Sequence, residues 1–170
     1  MSRRTLIEHM DVTTIKRSAW KFHEWFSGAP PIAFALVGTL LGYALVIPEA
    51  LVVSLLGISS AAGPNMNSLA RVIVIGVIAA PLIETLIHQK FVYWIVVDKF
   101  GWSLVSYVFL SAALFGASHY YSVNYVIFGF FVGLTLGYAY AAARMKRREA
   151  YWLTAVIHAL HNSFSSLLQL

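Results

Sequence analysis

Ala80-Pro81-Leu82-Ile83-Glu84-Thr85-Leu86-Ile87-His88-Gln89 sets a carboxylate, an imidazole and an amide inside an apolar run that extends from Arg71 to Val97. A run of that length suits a membrane span of about 20 to 25 residues. Ionising a carboxylate at the bilayer centre costs roughly 3 kcal/mol on insertion scales, so such a group faces a protein-lined, hydrated cavity. Glu84 is therefore the first functional candidate, and the rest of the chain has to supply its partners.

The chain is 59% hydrophobic and only 11% charged over 170 residues, which is too apolar for a soluble domain of this size. It reads as all-α: a polytopic transmembrane helix bundle of about five spans plus an N-terminal amphipathic helix. The absence of cysteine removes disulfides, thiolate metal sites and a cysteine nucleophile. The net charge of +5 is concentrated at the N-terminus and in one short loop, a pattern that argues against nucleic acid and for anionic lipid headgroups.

Outward from Glu84, three segments are expected. Residues 1–29 form a basic amphipathic stretch in which Ile15, Ala19, Phe22 and Phe26 recur at helical spacing beside Trp20 and Trp25, suited to a membrane surface. Residues 30–68 hold a first span, interrupted by Pro48-Glu49, and an external loop from Ser60 to Ser68 with Gly63-Pro64-Asn65 as a breaker. Residues 69–170 hold four further spans: Arg71 to Val97, Trp102 to His119, Tyr125 to Ala143, and Tyr151 to Leu170. Gly129, Gly133 and Gly137 repeat every four residues and form a small face for close helix packing. The positive-inside rule puts Arg144, Lys146, Arg147 and Arg148 in the cytoplasm with Lys99 and the basic N-terminus, leaving the C-terminus external. One crossing within residues 31–59 satisfies all three, and a bacterial or archaeal plasma membrane is the expected location.

The other polar groups within the apolar runs are His88, His119, His158, His161 and Asn162. On a helix, Glu84 and His88 share a face, as do His158 and Asn162, because positions i and i+4 lie one above the other. A lone histidine is more often a structural residue. Three on separate elements together with a carboxylate point to a site.

Pro81 to Gln89, then Phe115-x-x-x-His119, then His158-x-x-x-Asn162 resemble the three ordered motifs of the CPBP family, the CAAX proteases and bacteriocin-processing proteins of Abi or Rce type. The family pattern is Glu-Glu-x-x-x-Arg, Phe-x-x-x-His and His-x-x-x-Asn or Asp. Here Thr85 stands at the second glutamate and Gln89 at the arginine, so two charges are lost together. Losing one alone would strand a buried charge at a cost of about 3 to 5 kcal/mol.

The resemblance implies an intramembrane endopeptidase acting on a protein or peptide substrate at the membrane. Glu84 would be the general base, His119 would hold the water, and His158 and Asn162 would donate to the oxyanion, with Thr85, Gln89 and His88 in support. No cofactor is favoured. Zinc is the alternative, with Glu84, His119 and His158 as ligands, although no His-Glu-x-x-His run is present and asparagine suits an oxyanion better. His161 reads as a neighbour rather than a participant. A catalytically silent scaffold or bacteriocin immunity protein is the main rival, and a proton-coupled transporter the lesser one because no internal repeat is seen. Counting about 1.5 Å per residue from the cytoplasmic ends sets His119 deeper than His158 by over 10 Å, so bringing them together requires tilt or shifted boundaries.

Overall fold

The computed structural model describes residues 3–57 and 68–167, with side chains from residue 14 onward. The expected loop from Ser60 to Ser68 lies almost wholly outside the described residues, as do the last three residues of the chain. Among the described residues six helices follow in order: α1 (Arg3–Gly28), α2 (Pro31–Leu55), α3 (Leu69–Lys99), α4 (Leu104–Ser118), α5 (Val123–Met145) and α6 (Ala150–Leu167). Among the described residues there is no strand.

Local chemistry sets the boundaries. Pro31 occupies the first turn of α2, where its missing N–H is not needed. The side chains of Ser68, Ser103 and Ser122 accept from the backbone N–H three residues on, capping α3, α4 and α5. Gly101, with φ 67°, turns the chain out of α3. The helix of α2 continues through Pro48, which the sequence suggested as an interruption. Neighbouring helices and local adjustments let membrane helices tolerate such a proline.

By length and apolar composition α2, α3 and α5 can cross a membrane. The third of the expected spans, α4, has only 15 residues, about 22 Å of helix against a hydrocarbon core of about 30 Å. The last, α6, has 18 residues but carries Thr154, His158, His161, Asn162 and Ser163.

The α4–α5 hairpin is the tightest contact, and small residues make it so. A methyl group at Gly133 would lie 2.8 Å from the Cα of Ala112, and one at Gly116 would lie 2.8 Å from the carbonyl oxygen of Val126. On α2, a methyl at Gly38 would collide with Ile157 of α6. Such close approach is what association between membrane helices needs, since lipid tails supply no hydrophobic drive.

One end of the bundle gathers charge. Lys146 pairs with Glu24 at 2.8 Å, which holds that exposed carboxyl below its usual range, and Arg144 pairs with Asp98 at 3.3 Å. Arg148 donates to the Ser27 carbonyl at 2.9 Å and lies over Phe34. The end of α1 and the start of α2 thus meet the end of α3 and the α5–α6 turn. The N-terminal helix does not simply lie free on a surface: Phe26 stacks on Phe34 and Tyr138, and His23 Nδ1 lies 3.0 Å from the Tyr138 hydroxyl. Ile15, Trp20 and Trp25 remain exposed.

Within the α5–α6 turn, the N–H of Arg148 bonds the Ala143 carbonyl and the N–H of Arg147 bonds the Arg144 carbonyl. This is the helix-ending arrangement that glycine normally completes in the left-handed region. Here the residue is Arg147, at φ 53°, a conformation that costs a side-chain-bearing residue about 1 kcal/mol or more.

Candidate active site

The widened backbone of α3 underlies the site. Over Val72–Ala79, Thr85–Phe91 and Trp94–Lys99 its hydrogen bonding passes from i→i+4 to i→i+5, as in the bond from the Ala80 N–H to the Ile75 carbonyl. Such turns are rare and are frequently found at functional sites. Side-chain donors reach the carbonyls along this helix. Asn162 donates to Gly76 at 2.8 Å, Tyr151 to Leu82 at 3.1 Å, Ser111 to His88 at 2.9 Å and Tyr107 to Gln89 at 3.2 Å. Three of these four acceptors lie within six residues of Glu84, so α4 and α6 grip α3 around its carboxylate.

Glu84 is partly exposed and its Oε2 lies 3.6 Å from Nε2 of His158, which is only 2% exposed. The other nitrogen of His158, Nδ1, has no partner among the described residues. Phe115 joins the imidazoles. Its ring meets His119 at 4.5 Å, His88 at 5.3 Å and His158 at 5.4 Å between centroids. His119 caps α4 and folds back, its Nδ1 2.7 Å from the Phe115 carbonyl one turn earlier. Gly129 supplies the space, because a methyl there would stand 3.1 Å from the His119 ring.

The remaining expected residues divide. His88 keeps Nδ1 3.1 Å from the carbonyl of Glu84 and turns its ring edge to Phe115. Asn162 commits one side-chain N–H to Gly76 and has a second, since an amide nitrogen carries two. Thr85 and Gln89 are wholly buried, and among the described residues neither the hydroxyl nor either end of the amide has a partner. Their burial explains why charges at these positions would be costly. His161 points away from Glu84: it stacks on Tyr43 of α2 at 4.5 Å and lies near Phe128.

The sequence did not single out the hydroxyls of Tyr107, Ser111 and Tyr151, which looked like ordinary residues of apolar helices. Gly129 was legible only as a packing residue.

The family described as type II CAAX prenyl endopeptidase Rce1-like matches residues 66–164, more than half of the chain. The chain belongs to the Rce1-like family. It is accordingly a CAAX-type protease of the membrane, and the match spans Glu84, His119, His158 and Asn162 together. No curated protein and no solved structure matches the chain. As for zinc, among the described residues of this Rce1-like chain no three histidine or carboxylate side chains are arranged to hold one ion.

Proposed function

We infer that the protein hydrolyses a peptide bond of a membrane-associated or lipidated protein by a water molecule that Glu84 activates. The observation that carries this reading is the meeting of Glu84 and His158 at 3.6 Å beside a phenyl ring shared by His119 and His88, in a domain otherwise built of apolar helices.

In the reaction, Glu84 takes a proton from water as the oxygen attacks the carbonyl carbon, and it then passes that proton to the leaving amine as the C–N bond breaks. His119 orients the water. The developing oxyanion takes hydrogen bonds from His158 and from the second N–H of Asn162, donors each worth about a hundredfold in rate. Thr85 and Gln89 act through the position of α3, as His88 does through its bond to the Glu84 carbonyl. Neither serine nor cysteine is needed, and no covalent intermediate forms.

The test is cleavage of a farnesylated CAAX peptide by purified protein, with matched expression and thermal stability of each variant. Glu84→Gln should abolish product, His119→Ala and His158→Ala should lower the rate at least a hundredfold, and Asn162→Ala should lower it less. Chelation should leave most activity. A Glu84→Gln protein that cuts at the wild-type rate would overturn the glutamate mechanism, and loss on chelation with recovery on zinc would establish a metal route. The silent-scaffold reading gains ground if the wild-type protein cuts no such peptide.

A further inference from the structure

At the charged end of the bundle a pocket of about 530 Å³ opens between α3 and the α5–α6 turn. Lys90, Arg144, Arg147 and Arg148 line it, with Glu149 as the only acidic residue among its lining. Two of these cations already have work in the fold: Arg144 pairs with Asp98, and Arg148 holds the Ser27 carbonyl. Lys90 rests over the Tyr151 ring, 5.4 Å from its centroid, and among the described residues neither Lys90 nor Arg147 has a carboxylate within ion-pair distance. Arg147 also keeps a left-handed backbone at a helix end where glycine would be relaxed. A strained arginine in place of glycine, facing a pocket with uncompensated positive charge, marks a site for an anion.

The pocket lies within two turns of α3 from Glu84. Lys90 lies six residues after Glu84 on α3, no more than about 9 Å along the axis. Tyr151, which lines the pocket, donates to the carbonyl of Leu82 two residues before Glu84. An extended peptide covers about 3.3 Å per residue, so two or three residues bridge the gap. The anion that every peptide end carries, whatever its sequence, is its terminal carboxylate.

We propose that Lys90 and Arg147 form the subsite that holds the C-terminal carboxylate of the peptide substrate, fixing how far from the chain end the cut falls. This rests on the proteolytic reading above. An Arg guanidinium grips a carboxylate with two parallel N–H groups, whereas Lys90 adds a point charge.

The test uses full-length Glu84→Gln protein in nanodiscs and a fluorescent farnesylated Cys-Val-Ile-Met peptide, as the free acid and as the C-terminal amide. Anisotropy should show the acid binding at least tenfold tighter than the amide, and Lys90→Gln or Arg147→Gln should erase the difference. Arg147→Gly should raise the melting temperature by relieving the backbone yet lose the preference for the acid, an outcome that a purely structural arginine would not give. Equal binding of acid and amide, binding of neither, or a preference that survives both variants would overturn the subsite. So would Arg147→Gln acting instead on binding to phosphatidylglycerol vesicles, which would make the pocket a lipid headgroup site. Wild-type protein that binds the acid selectively but cuts neither form would count against proteolysis and leave the subsite standing.

Discussion

Gly129 lies under the His119 ring, and its missing side chain is what the imidazole occupies. A methyl there would come within 3.2 Å of both the His119 Nδ1 and the Gly116 Cα, so the ring or the hairpin has to yield. Gly137, two turns further along the same face, meets its nearest neighbour at an ordinary 3.4 Å. Gly129→Ala should therefore cut peptide hydrolysis at least tenfold while Gly137→Ala keeps it within about twofold, both read as initial rates at matched folded protein. Equal effects would show that the glycine face serves packing alone. The four-residue glycine spacing announced a packing face in the sequence, but nothing in that spacing said that one member carries a histidine.

At the scale of elements, α3 is held by donors from its neighbours rather than by its own ladder alone. Tyr107 and Ser111 of α4 donate to the adjacent carbonyls of Gln89 and His88. Each lost hydroxyl removes one donor from a carbonyl of α3, worth about 1 kcal/mol, and at Gln89 the backbone N–H of Val92 remains. Tyr107→Phe and Ser111→Ala should each lower the unfolding temperature and speed amide exchange in α3. Because they act on consecutive carbonyls, the double variant should depart from additivity by about 0.5 kcal/mol or more. Strict additivity, with unchanged exchange near Glu84, would mean that the widened helix holds itself.

For the whole molecule, the Glu24–Lys146 and Asp98–Arg144 pairs bring the ends of α1, α3 and α5 together. We propose from the positive-inside rule that this end faces the cytoplasm. A chain without cysteine makes the assignment simple to test. In sealed vesicles, an impermeant maleimide should label Gly28→Cys and Glu149→Cys only from the cytoplasmic side and Tyr120→Cys only from the other. Labelling of residues 28 and 149 from opposite sides would overturn the single crossing by α2.

The sequence by itself determined the helical membrane class, the family and the residues worth testing, because burying polar groups in an apolar run is costly enough to be visible one residue at a time. Pro81 to Gln89, Phe115 to His119 and His158 to Asn162 were readable for that reason. Only the tertiary structure decided which of them meet. It put His158 against Glu84, stacked His161 on Tyr43, and spent one Asn162 N–H on Gly76. It also showed α1 packed against Tyr138 and made a hub of Phe115. These outcomes depend on stagger between helices and on the widening of α3. Both arise from packing between segments distant in the chain, which periodicity within any one segment does not encode.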